Sequence, residues 1–239
     1  MAWGLRIKGE AGQLQIDGTF QNYQLAASGT LYLGDTVVSG NALTLWKGEL
    51  TLTSLVRPIV AFMISDDGLF FTAADNGGGS FTWTIYKNAG DPGKPARTIT
   101  YYVFDVLAAV SSGNWGMRIR NASNVPVFDF IRKPMRVVDF VKEFNIEGVP
   151  LQKTYVSGRS YVATVCRFSG YSDTIFLGVG PGTDRLDRSW TATWKPISSG
   201  VEFGQVPTAL YQHDGSNPPV YEPYESTAAD YLVLDVTDY

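Results

Sequence analysis

The chain has 239 residues, of which 18% are charged and 13% aromatic, with 25 Gly, 12 Pro and a formal net charge of −4. This charge gives no general attraction to nucleic acid or to anionic lipid. One cysteine, Cys166, excludes an internal disulfide and a thiolate-rich metal site, and one histidine, His213, leaves no partner for a His-based metal centre.

The chain opens with Trp3, Leu5 and Ile7 alternating with Gly4, Arg6 and Lys8, a period of two that predicts a strand with one apolar face. Glu10-Ala11-Gly12 turns the chain into a returning strand around Leu14 and Ile16. No cationic segment followed by an apolar core stands at the start, so no signal peptide is expected, and no apolar run reaches membrane-spanning length. A soluble protein made in the cytoplasm is the expectation. Strands are predicted at Thr30–Leu33 and Ala42–Trp46, with a shorter one at Glu49–Thr53. Ile59–Ile64 is apolar almost throughout and fits a strand buried on both faces. Asp66-Asp67-Gly68 predicts a tight turn into Leu69–Thr72, and Phe81–Tyr86 alternates again. Asn88–Arg97, with two glycines and two prolines, reads as loop, and Ile99–Val106 as a closing strand.

The opening is then written a second time. Trp115-Gly116-Met117-Arg118-Ile119-Arg120 repeats Trp3-Gly4-Leu5-Arg6-Ile7-Lys8, and Phe128-Asp129 repeats Ile16-Asp17 at the same spacing of 112 (115 minus 3). The closing strand recurs as Tyr231-Leu232-Val233-Leu234-Asp235-Val236, 130 positions after Tyr101–Val106 (231 minus 101). Two matches, one opening and one closing each half, predict two copies of one β-module in tandem. The expectation is therefore an all-β chain of two β-sandwich modules of the same fold, residues 1–109 and 115–239, joined by a short linker at 110–114. Each module is expected to have its own core. Within the second module, Ser160–Val165 takes the place of Ile59–Ile64, and Asp173–Val179 that of Leu69–Thr72. Ser189–Trp194 aligns with Ser80–Ile85 at a spacing of 109 (189 minus 80). This alignment leaves about 21 added residues (130 minus 109) after Trp194, and predicts an enlarged loop over about 197–230. Long loops in compact domains often carry function, and tyrosines with prolines make stiff contact surfaces. Trp194, Tyr211, His213, Tyr221 and Tyr224 are the candidate interaction residues.

No catalytic constellation emerges, and the chain is not expected to be an enzyme. A glycosidase needs two carboxylates facing across a cleft; Asp66/Asp67 and Asp184/Asp187 read instead as turn residues, with a weak Ca²⁺ site there (or with Asp75) as the lesser alternative. His213-Asp214 has no nucleophile motif to serve, and Gly178–Gly182 lacks the Lys-Ser/Thr of a phosphate loop. Arg118, Arg120, Arg132, Lys133 and Arg136 cluster near the second opening hairpin, where salt links or solvated strand faces explain them better than nucleic acid does. Cys166 sits in an apolar strand pattern and is expected to be buried. No cofactor or metal is expected.

The aromatic-Gly-hydrophobic opening Trp3–Ile7 with Ile16-Asp17, its second copy ending at Phe128-Asp129, and the closing Tyr-x-Val-x-Asp-Val strand resemble small tail-tip and baseplate proteins of long-tailed bacteriophages. The resemblance covers about 15 residues in each copy, and no functional residue is carried over from it. It implies a structural virion protein, made in the host cytoplasm, present in multiple copies in a symmetric assembly. Its implied partners are other tail, baseplate and fibre proteins, without nucleic acid or membrane insertion. The rival expectation is a receptor- or glycan-binding module that meets a host surface glycan through Trp194 and the tyrosine-rich loop.

Overall fold

A computed structural model describes residues 7–8, 14–16, 22–39, 43–63, 69–88, 97–106, 117–121, 123–129, 131–145, 150–167, 170–176, 185–213 and 228–239. Among these the regular elements are all β-strands. The first half holds β1 (Ile7–Lys8), β2 (Leu14–Ile16), β3 (Tyr23–Tyr32), β4 (Asp35–Ser39), β5 (Leu43–Leu52), β6 (Ile59–Met63), β7 (Leu69–Gly77), β8 (Ser80–Asn88) and β9 (Thr98–Val106). The second holds β10 (Arg118–Arg120), β11 (Pro126–Asp129), β12 (Val137–Asn145), β13 (Leu151–Thr154), β14 (Tyr161–Arg167), β15 (Gly170–Phe176), β16 (Arg185–Ile197), β17 (Gly200–His213) and β18 (Ala228–Asp235).

Each half is assembled from a two-stranded hairpin, a three-stranded sheet and a four-stranded sheet, all antiparallel. The three-stranded sheets are β3-β9-β6 and β12-β18-β14; the four-stranded ones are β4-β5-β8-β7 and β13-β17-β16-β15. The register repeats in detail. In the hairpins, Ile7 faces Ile16 and Ile119 faces Phe128, with an irregularity one step later in both. In the sheets, Leu25 faces Phe104 and Ala27 faces Val103 across a bulge; Val137 faces Leu234 and Asp139 faces Val233 across a bulge at the same step. The matched residues are again 112 apart in the first strand (137 minus 25) and 130 apart in the last (234 minus 104). A bulge strengthens local twist and holds register, so its recurrence at one step is a specific likeness.

Two sequence-based alignments are corrected by the pairing. The β7–β8 hairpin turns at 78–79 and receives a hydrogen bond from Leu55 N at Gly79 O; the β16–β17 hairpin turns at 198–199 and likewise receives one from Tyr155 N at Ser199 O. β16 therefore occupies the place of β7, not of β8, and the alignment of Ser189–Trp194 with Ser80–Ile85 does not hold. Among the described residues, β15, which contains Asp173–Phe176, is an outer strand beside β16 with no counterpart in the first half, and β4 beside β5 has none in the second. The physical reason is that every half-buried strand alternates apolar and polar residues, so a six-residue likeness cannot fix which strand is which. The enlarged loop also shrinks. Gly200–His213 is a strand paired with β16 along its whole length, from Ile197↔Gly200 to Arg185↔His213. The rest of that predicted loop up to residue 227 lies outside the described residues, as do the 110–114 linker, Asp66, Asp67, Asp184 and Gly178–Gly182.

The two sheets of the first half sandwich Leu33, Phe62, Leu69, Phe71, Trp83, Ile85, Ile99 and Val103 between them. This is what their alternation predicts, since residues two apart share a face. The central strands β9 and β18 are buried on both faces. Ile99 and Val103, with Tyr231 and Val233, enter this main core, while Tyr102, Phe104, Leu234 and Val236 enter a second cluster on the other side. Val60, Ala61 and Phe62 are all buried, as expected for the apolar run of β6. The expectation of a separate core in each module fails: one contiguous cluster joins Phe62, Phe71 and Trp83 to Tyr161, Trp194, Phe203 and Tyr231. Cys166 is exposed rather than buried, because a register irregularity between Val165 and Arg167 turns the end of β14 outward.

The turn of the β16–β17 hairpin packs tightly against β13. A Cβ on Gly200 would lie 1.8 Å from the carbonyl oxygen of Lys153, so no side chain fits without moving backbone. Gly200→Ala is expected to lower stability by about 1–3 kcal/mol or more through overpacking. Gly204→Ala, where a Cβ meets nothing within 4 Å, is the control. Urea unfolding of the two variants side by side measures the difference.

Candidate functional site: the junction between the halves

Among the described residues, the most elaborated polar site is the seam where the second half meets the first. β6 is an edge strand of its sheet, and an edge leaves backbone carbonyls to be satisfied by something else. Here the second half supplies the donors. Thr164 Oγ1 donates to Val60 O at 2.5 Å, and Trp194 Nε1 donates to Phe62 O at 3.1 Å. Beside them Thr193 Oγ1 donates to Leu69 O at 2.9 Å. All three donor side chains are buried. Tyr231 completes the set, its hydroxyl donating to Thr193 O at 3.2 Å. Burial pushes that hydroxyl far above the ordinary phenol range, so it stays protonated and keeps donating.

The opposite edge of the same sheet, β3, is covered by the second hairpin and the segment after it. Asn22 N donates to Val127 O at 3.1 Å and Leu25 N to Lys133 O at 2.7 Å, while Met135 N donates back to Tyr23 O at 2.9 Å. Gln24, fully buried, reads both backbone groups of one residue. Its Nε2 donates to Asp129 O at 2.5 Å, and its Oε1 accepts from Asp129 N at 3.0 Å. Gln24→Ala leaves those groups unsatisfied and is expected to cost about 1–3 kcal/mol. Hydrogen exchange should then show faster opening at Asp129 and Ile131 than at Ile85.

Four members of the basic cluster make internal contacts. Arg118 pairs with the buried Asp129 at 2.9 Å, Arg120 donates to Asn124 O at 2.7 Å, and Lys133 lies over the Tyr239 ring at 5.2 Å. Arg136 and Arg159 both reach Asp235, at 3.4 and 2.7 Å. Burial works against the charge of Asp235, but bonds from Thr237 and Arg159, with Arg136 nearby, outweigh it and hold the carboxyl below the usual range. Asp105, its counterpart in β9, instead accepts the backbone N–H groups of Val56 and Arg57, both at 2.7 Å.

Of the predicted interaction residues, Trp194, Tyr211 and His213 lie among the described residues, and the ladder sets Trp194 opposite Phe203, eight positions from Tyr211 along β17 (211 minus 203). Trp194 is 2% exposed and belongs to the seam, so it cannot be a sugar platform. Tyr211 and His213 lie near the far end of β17, paired with Asp187 and Arg185. Tyr221 and Tyr224 are outside the described residues. Asp187, read as a turn residue, is inside β16. Gln24, Thr164 and Thr193 were missed, because a single polar residue in a strand carries no sequence mark of the edge it will cap.

A second feature is a cleft of about 390 Å³ bordered by Val37, Val38, Leu45, Phe70 and Tyr86 of the first half and Thr208 of the second. Phe70 and Tyr86 stack there, with ring centroids 5.1 Å apart. Among the described residues no group of three or more His, Cys, Asp or Glu could hold a metal ion, and no helix is long and apolar enough to cross a membrane. No protein-family model matches the chain, and neither a curated protein nor a solved structure matches it.

Proposed function

We propose that the chain is a duplicated β-module serving as a structural virion protein of a bacteriophage tail tip or baseplate, where it assembles with tail and fibre proteins. The observation that carries this reading is the seam. Two halves with closely similar strand pairing share one core, and the second half caps both edges of the first half's three-stranded sheet, which makes a stiff block that presents faces and edges to neighbours. The opening and closing strand motifs that resemble such proteins are also the parts whose register repeats most closely. In this role the protein acts through shape, with no reaction step. Mass spectrometry of purified particles and immunogold labelling test the reading: the chain should be found at one end of the tail. Its absence from particles, or a gene remote from tail-length and tape-measure genes, would overturn it.

The glycan-binding alternative loses Trp194 and rests instead on the stacked Phe70–Tyr86 pair in the cleft, a surface of the kind on which sugars pack. Binding on a glycan array that disappears in Tyr86→Ala would favour it; an array blank for the intact chain removes it.

A further inference from the structure

We propose that the outer edge of β12 docks the first hairpin, β1–β2, of a second copy of this chain; the inference rests on the assembly role above and names one of its partners. The observations are three. First, β12 is an edge strand carrying an unusual row of exposed apolar side chains: Val137 is 47% exposed, Val138 42% and Phe140 50%. Such an edge invites pairing with another chain. Secondly, the equivalent edge in the first half, β3, is not left open. The second hairpin and the run to Met135 cover it, through Asn22, Tyr23, Gln24 and Leu25. Thirdly, β1–β2 repeats the pairing of β10–β11, irregularity included, with Ile7 and Ile16 where the second hairpin has the buried Ile119 and Phe128. The chain thus displays once, within itself, a hairpin covering this kind of edge, and it carries a second hairpin of that kind and a second such edge.

Two differences bear on the contact. Pro134 stands where Asn22 donates its backbone N–H to Val127 O, and a proline has no N–H to donate. Arg136 stands where β3 has Gln24, and its guanidinium is held by the carbonyl oxygens of Asp235 and Thr237. The contact between copies therefore lacks both the Asn22 bond and the Gln24 clamp, and relies on apolar burial and the remaining edge hydrogen bonds. It is weaker than its internal counterpart and reversible, and because hairpin and edge are different surfaces the contact is head-to-tail.

Sedimentation velocity of the full chain tests this. The intact protein should form species above its 26.2 kDa monomer mass as concentration rises. Val137→Lys with Phe140→Lys, which alters the edge, and Ile7→Asp, which alters the hairpin, should each remain monomeric. Val138→Glu is an independent edge variant with the same expectation, and unchanged melting temperatures show that the edge variants are folded. Mixed one to one, the edge double variant and Ile7→Asp retain one intact hairpin and one intact edge, and should form a dimer that grows no further. An intact chain that stays monomeric at high concentration, variants that assemble like it, or a mixture that fails to pair would each overturn the proposal. The two readings separate cleanly. A monomeric chain that still enters particles sinks only this interface, and a self-associating chain absent from particles sinks only the virion role.

Discussion

Replacing Trp194 with alanine should destabilise both halves at once, and the unfolding curve should stay a single transition. The indole is 2% exposed and packs edge-on against Phe71 of the first half, with centroids 6.2 Å apart, and against Tyr231 of the second at 6.0 Å. Removing a buried ring of this size costs about 3–5 kcal/mol. Phe62 O also loses its donor, adding about 1–3 kcal/mol if no water enters. For a chain of this length each kcal/mol lowers Tm by about 2–4 °C. The decisive readout is cooperativity. If the halves were independent domains joined only by a tether, probes in the first half, such as hydrogen exchange at Ile85, would not respond to a change at residue 194. Joint loss of protection at Ile85 and Val233 is the expected outcome. A loss confined to Val233 would mean that the shared core is not a single folding unit. Trp194→Phe separates the two contributions, since it keeps most of the ring contact while removing the Nε1–H donor.

The all-β class, the hairpin openings and the buried run of β6 were legible because each depends on local signals: period-two alternation, turn residues and unbroken apolar runs. The repeated strand pairing was legible at the two ends of each half, where Trp-Gly-x-Arg-Ile and Tyr-x-Val-x-Asp-Val are distinctive. It was misread in the middle, where Ser189–Trp194 and Ser80–Ile85 resemble each other only as strands do. Placing β16 opposite β7 requires knowing that β17, and not β16, lies beside β13, which is a non-local fact. Likewise, Val206–His213 looked like loop on account of Pro207 and the polar residues, yet β17 runs through them. The ladder absorbs Pro207 at an irregularity between Ser189 and Trp190. The seam was invisible for a related reason. Trp194 could be seen as large and apolar, but that its nitrogen would cap Phe62, 132 positions earlier (194 minus 62), depends on how the halves meet.

Asp235 marks the other large expected effect, and its sign with pH can be worked out. The carboxylate is 1% exposed and is held by Arg159, Arg136 and Thr237 N, the last at 2.9 Å. A carboxyl whose pKa is lower folded than unfolded binds protons more readily when unfolded, so stability rises with pH across that interval. The contribution of Asp235 is therefore complete above the unfolded Asp value of about 4 and is lost as pH falls through the depressed folded value. Asp235→Ala should cost, at neutral pH, the lower end of the about 3–5 kcal/mol typical of a broken buried pair, because both guanidinium groups reach solvent and are partly screened. The gap between variant and intact protein should narrow as the medium is acidified below pH 4. Urea midpoints measured from neutral to acid pH provide the check, with Arg167→Ala as reference. Arg167 pairs with Asp230 at 3.1 Å with its side chain 44% exposed, and its loss should cost no more than about 1 kcal/mol. A gap for Asp235→Ala that stays constant into acid would mean that the carboxylate contributes by packing alone. The paired arginines would then be ordinary surface residues rather than the fastening of the closing strand.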